Sequence, residues 1–166
     1  MRMELIQPFI NAADAVLAST LECRSTRLGN FSMDQEAYRS KGIAAIVTVT
    51  GDIEGRIIFD AEIETARRMA GQTIGGEKPD FDETVREAIC ELANQVIGNA
   101  ISSLNDQGFH FKIHPPEVHQ GEGLKSTEDT EALVMCFETT SGNVFMNIAM
   151  RYNRRSPKAR AKAAGE

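Results

Sequence analysis

The sequence predicts a single α+β domain in which a largely antiparallel β-sheet carries helices packed on one face. Three features lead there. Apolar residues recur at three- and four-residue intervals in the opening segment, two pairs of β-branched runs are each broken by a glycine-containing turn, and a long central stretch keeps a helical period. The elements run helix, hairpin, two helices, then strands. That order lacks the strand–helix–strand alternation and glycine-rich first turn of a nucleotide-binding α/β fold.

Leu5, Phe9, Ile10, Ala13, Val16 and Leu17 mark a first amphipathic helix over residues 3–21, with Pro8 tolerated in its opening turns. Residues 23–41 are mixed and polar, with room for a short strand over 26–33 that turns at Gly29-Asn30. The runs 42–50 and 54–59 are β-branched and separated by Gly51-Asp52, the pattern of a hairpin. A short helix follows over 61–70, closed by Gly75-Gly76. Pro79-Asp80-Phe81-Asp82-Glu83 is a helix start, with Asp80 or Asp82 as N-cap and acids complementing the dipole. The helix runs to Leu104 or Asn105 and ends near Gly108. Residues 109–113 and 117–121 are strand-like around Pro115-Pro116, and 131–140 with 142–152 form a second hairpin turning at Ser141-Gly142-Asn143.

Length and charge narrow the class. With 166 residues and 42% hydrophobic content, the chain supports one core. Residues 1–152 are expected to form the domain and 153–166 a basic, frayed tail. The last sixteen residues hold six of the 18 basic groups and only Glu166 among the 24 acids, so the net charge of −6 hides a strongly acidic body. Such a body repels nucleic acid and favours a partner with a basic site. No apolar run approaches the ~18 residues of a membrane span, and the N-terminus lacks a signal-peptide pattern, so a cytoplasmic protein is expected. Cys23, Cys90 and Cys136 are odd in number and widely spaced, which suggests reduced thiols rather than a disulfide framework.

The long helix holds the informative pattern. At about 100° per residue, Val85, Ile89, Leu92, Val96 and Ala100 share one arc, widened by Ala93, Ile97 and Leu104. The opposite side collects Glu87, Glu91, Asn94, Gly98 and Asn105. A glycine inside a helix costs about 1 kcal/mol relative to alanine. On an exposed face that cost points to close approach by another molecule, so the stripe has the composition of a docking surface. The ordinary alternative is that acids and amides simply fill the solvent side of a helix.

Glu91-Leu92-Ala93-Asn94-Gln95-Val96-Ile97-Gly98-Asn99-Ala100 resembles the E-x-x-N helix of the CheC, CheX and FliY chemotaxis phosphatases. The opening helix with Pro8-Phe9-Ile10 and the two hairpins extend the resemblance over residues 3–152. Two positions depart from it: Glu87 stands where the family has Asp or Ser, and Pro115-Pro116 come one or two residues early. The first helix has no Glu and Asn three apart, which makes the chain similar to the one-site CheX members rather than to two-site CheC.

The resemblance implies an enzyme, a phosphatase that hydrolyses the aspartyl phosphate of a response-regulator receiver domain. It implies Glu91 and Asn94 as catalytic residues, with Asn94 orienting the attacking water and Glu91 pairing with the receiver's active-site lysine. Glu87 and Gly98 would belong to the partner-binding surface. It implies no cofactor in this chain, Mg2+ on the receiver, and a homodimer through sheet contacts, with residues 142–152 as the pairing strand if they form a sheet edge. His110, His114 and His119 cluster near the Pro-Pro break, but no carboxylate or cysteine pattern completes a metal site, so none is expected. The competing reading is a noncatalytic module of the same fold that binds a receiver or a flagellar component.

Overall fold

The computed structural model describes residues 3–20, 27–34, 40–74, 83–121 and 132–155. They form α1 (Met3–Thr20), β1 (Arg27–Asp34), β2 (Ile43–Gly51), β3 (Ile53–Ala61), α2 (Ile63–Ile74), α3 (Glu83–Asp106), β4 (Phe111–Ile113), β5 (Glu117–Gln120), β6 (Ala132–Thr139) and β7 (Gly142–Tyr152). The strands make one sheet in the order β1-β6-β7-β3-β2-β4, with β5 also on β2. Every pairing is antiparallel. The α+β class and the helix-covered sheet expected from the sequence are present.

Alternation builds the core. On β2 and β3 the odd residues Ile43, Val47, Ile57 and Phe59 face the helices, and on β7 the even residues Val144, Met146, Ile148 and Met150 do. Leu5, Phe9 and Val16 of α1 and Val85, Leu92 and Val96 of α3 meet them in the same buried cluster. Burying each large side chain of this kind contributes about 1.5–3 kcal/mol, which is what fixes both helices onto the sheet.

The opposite face is smaller and more polar. Ala44, Ile46 and Ile58 form a second apolar cluster there. Beside them Arg56 Nη1 donates to Asn147 Oδ1 at 2.7 Å, and Asp60 accepts from Ser40 Oγ at 3.0 Å and from the Lys41 amide at 2.7 Å. These polar groups are buried but partnered, as burial requires.

The sheet has an internal two-fold character. Hairpin β2-β3 and hairpin β6-β7 meet through the antiparallel β3–β7 pair, which runs from Ile53 opposite Tyr152 to Ala61 opposite Val144. Each hairpin is then flanked on its outer strand by a strand from the other half: β1 on β6, and β4 with β5 on β2. Each half therefore repeats one order, a helix followed by strands that include a hairpin.

Several boundaries differ from the expectation. The segment after α1 does not turn at Gly29-Asn30, because β1 runs through both with a register shift between Leu28 and Phe31, and the small residues sit in a bulge. Helix α2 extends to Ile74, beyond the expected end at residue 70. Pro115-Pro116 divide one edge ribbon into β4, on Val49 to Gly51, and β5, on Ile43 to Ile46, since proline has no N–H to give the ladder. Most important, β7 is not an edge strand: β3 and β6 flank it on both sides, so it has no free edge for a second copy. The N-cap candidates Asp80 and Asp82, Cys23, and residues 156–166 of the tail lie outside the described residues.

Gly142 has a positive φ of 132°, and a Cβ there would lie 2.5 Å from Thr65 Oγ1. The tight end of the β6-β7 hairpin thus sits directly against α2, an approach only glycine allows.

Candidate functional site

Helix α3 is positioned by its apolar side. Val85, Ile89, Leu92, Ala93, Val96, Ile97, Ala100 and Leu104 are all buried, the arc expected from the periodicity. Near the start of α3, Arg86 donates to the Val118 carbonyl of β5 at 3.3 Å and lies 4.0 Å from Glu83. Side chains on the far side of the helix are therefore presented from a rigid element rather than from a loop.

Glu87, Glu91, Asn94, Gly98 and Asn105 are all exposed on that far side. Glu91 and Asn94 stand three residues apart, about 60° around the helix and one turn along it. The two residues between them, Leu92 and Ala93, are buried, which pins the backbone of the pair. A Cβ built on Gly98 meets nothing within 4 Å. No neighbour within the described chain accounts for the glycine, and the surface one turn beyond Asn94 is open. Ser102 Oγ donates to the Gly98 carbonyl at 3.1 Å, which ties down the backbone at the same point.

One residue of this face escaped the sequence reading. Gln95 Nε2 donates to Glu91 Oε1 at 3.3 Å, so the carboxylate is held from the C-terminal side. The i,i+4 spacing of Glu91 and Gln95 was the available signal.

Chemically, the arrangement offers a carboxylate that can meet a cation and a neutral carboxamide that both donates and accepts, with room for a close surface. It offers no nucleophile. Cys90, next to Glu91, is half-buried, and burial pushes its thiol above the ordinary value, partly opposed by the Arg86 guanidinium. That shift makes it a poor thiolate.

The histidines do not converge with this face. His110 and His114 flank β4; the His110 amide donates to Asp52 Oδ2 at 2.9 Å, and His114 Nε2 lies 3.1 Å from Thr50 Oγ1. His119 lies 3.6 Å from Glu117. Among the described residues no group of three or more His, Cys, Asp or Glu comes together. No described helix is long and apolar enough to cross a membrane.

The chain is similar to known proteins in sequence and in fold. A family model described as chemotaxis phosphatase CheX matches residues 43–140, which include all of α3. The CheY-P phosphatase CheX of Thermotoga maritima is 36% identical over 84 residues, which are 50% of this chain and 54% of that one. The match thus spans only about half the length of that relative. A chain from the CheX–CheY–BeF3–Mg2+ complex of Borrelia burgdorferi is 34% identical with a TM-score of 0.77, covering 90% of this chain and 99% of that one. A CheC-like protein from Shewanella sp. PV-4 shares the fold at 22% identity with a TM-score of 0.79, covering 91% of this chain and 99% of its own.

Proposed function

The chain belongs to the chemotaxis phosphatase CheX family, and from that premise we propose that it hydrolyses the aspartyl phosphate of a CheY-like receiver domain, with the exposed face of α3 as its active surface. The observation that carries this reading is the outward projection of Glu91 and Asn94 from a helix whose other side is fixed in the core. The relative from Borrelia burgdorferi, seen with CheY, BeF3 and Mg2+, supports the choice of partner.

The chemistry asks little of the helper. A water oxygen bonds to phosphorus as the bond from phosphorus to the receiver's aspartyl oxygen breaks. Inorganic phosphate and a free aspartate carboxylate result, and the water's proton passes to phosphate or solvent. Such transfers depend mainly on positioning and electrostatics. Asn94 accepts from the water through its carbonyl and donates to a phosphoryl oxygen through its NH2, so it aligns the nucleophile without adding negative charge beside an anion. Glu91 pairs with the receiver's active-site lysine and sets the angle of entry. Glu87, exposed one turn before Glu91, steers the approach, and Gly98 lets the receiver's backbone come close. Mg2+ belongs to the receiver, where it neutralises phosphoryl charge; this chain needs no cofactor.

The protein works in the cytoplasm, where receivers are phosphorylated. A homodimer, if formed through the sheet, uses a margin strand such as β5 rather than β7, and light scattering would detect it. The deciding experiment follows the decay of phosphorylated receiver with wild type and with Asn94→Ala. Wild type should shorten the lifetime and Asn94→Ala should not. A receiver that binds the wild-type chain but decays at its intrinsic rate would leave the noncatalytic module as the function.

A further inference from the structure

A helical side chain leans towards the N-terminus and covers the turn before its own Cα, so each residue is overhung by the one four places on. For Glu91 that residue is Gln95, and for Asn94 it is Gly98. Gln95 Nε2 donates to Glu91 Oε1 at 3.3 Å. Gly98 has no side chain to lean back, and a Cβ there would meet nothing within 4 Å. The carboxylate is thus engaged from above while the amide is left bare.

Glu91 and Asn94 are also within reach of each other. Residues three apart are neighbours on a helix surface, with Cβ atoms about 5–6 Å apart, and a carboxylate accepts from a carboxamide at that spacing. Glu91 is pressed that way, because exposed Glu87 repels it from one turn earlier. Arg86 offers no relief, being held by the Val118 carbonyl and Glu83. Among the described residues no cation pairs with Glu91, and Asn94 has no hydrogen-bond partner. The carboxylate turns to Gln95 instead. Gln95 lies about 40° around the helix from Glu91, on the side away from Asn94, so this bond draws the two functional groups apart.

We propose that Gln95 is a positioning residue for receiver dephosphorylation: it keeps the Glu91 carboxylate from closing onto the Asn94 amide, so that both groups stand ready before a receiver arrives. The proposal rests on the α3 reading above. A Glu91–Asn94 bond would occupy the NH2 that donates to a phosphoryl oxygen, and it would have to break before Glu91 could meet the receiver's lysine. The Gln95 bond obstructs neither step, since it leaves the amide untouched and one carboxylate oxygen open. Once a receiver is docked, its lysine holds Glu91 and Gln95 has no part in the chemical step. Its effect is therefore on engagement rather than on turnover.

The test replaces Gln95 by leucine, which keeps the length and removes the donor. In the free chain, the side-chain NH2 resonances of Asn94 should move between wild type and Gln95→Leu, and should coincide between Glu91→Ala and Glu91→Ala with Gln95→Leu. With phosphorylated receiver, Gln95→Leu should raise KM by about two- to threefold at unaltered kcat, the size of effect that one surface pair supplies. In the Glu91→Ala background the same substitution should do nothing further. A thermal melt checks that each variant folds, and if Gln95→Leu does not, Gln95→Met decides in the same way. Unmoved Asn94 resonances, an unchanged KM, or a KM shift equally large with and without Glu91 would each overturn the proposal while the α3 reading stands. Failure of that reading shows separately, as a wild-type chain that does not hasten the decay of receiver phosphate, and it removes this proposal as well.

Discussion

Gln95 Nε2 donates a hydrogen bond to Glu91 Oε1 across 3.3 Å, one turn along the exposed side of α3. The bond restricts the carboxylate that the proposed reading sets against a cation on the receiver. In a desolvated interface, truncating one member of a charge pair costs about 2–5 kcal/mol, largely through the group left unpaired. Glu91→Ala should therefore raise the receiver concentration needed for half-maximal rate far more than it lowers the maximal rate. Titration of phosphorylated receiver at two salt concentrations checks this. An affinity that is unchanged, and equally insensitive to salt in both chains, would remove Glu91 from the interface.

Asn94 carries the opposite expectation. Its side chain is exposed and makes no contribution to the core, so Asn94→Ala should leave the melting temperature nearly unchanged. Turnover should fall on the order of 100-fold while receiver binding persists. Asn94→Asp is the sharper probe, because it keeps the shape and changes the charge. It should lose hydrolysis as completely as Asn94→Ala, and retained activity there would argue that a base rather than a neutral guide is needed.

How much of this was legible beforehand differs by element. The apolar arc of α3 and its exposed stripe followed from a period of 3.6 residues, and every residue assigned to either side lies there. The β2-β3 and β6-β7 hairpins followed from β-branched runs around Gly51 and Gly142. The place of β7 did not, since alternation along a strand shows which face is apolar and says nothing of which strands lie beside it. Its central position comes from the long-range β3–β7 pairing, a register between segments some ninety residues apart. The bulge at Gly29-Asn30 was missed for a related reason: two small residues mark a break in the ladder, and only the partner strand decides whether the chain turns or bulges.

Gly98 separates stability from function. Because a Cβ there meets nothing within 4 Å, Gly98→Ala should add about 1 kcal/mol of stability from helix propensity alone. A longer side chain, as in Gly98→Leu, should also be tolerated by the fold. Both changes place bulk where a receiver backbone is expected, so receiver-phosphate hydrolysis should fall modestly in Gly98→Ala and severely in Gly98→Leu. Melting curves measured beside decay assays test the pair together. Hydrolysis at the wild-type rate in Gly98→Leu would show that the receiver does not approach this turn.

Among the described residues, the free thiols of Cys90 and Cys136 set a limit on alkaline stability. Burial raises the pKa of both Cys90 and Cys136 above the ordinary 9.0, so the folded chain holds these protons more tightly than the unfolded one. Below that value both states are protonated and the contribution is present in full. As the pH rises past it, unfolded thiols ionise first, the folded state binds more protons, and stability falls with a slope set by the difference. Lysine and tyrosine titrate in the same region, so the difference between chains isolates the thiols. The melting temperature of wild type should drop more steeply between about pH 8.5 and 10.5 than that of Cys90→Ala, and more steeply still than that of a chain also carrying Cys136→Ala. Parallel curves for the three chains would mean that neither thiol is sheltered by the fold.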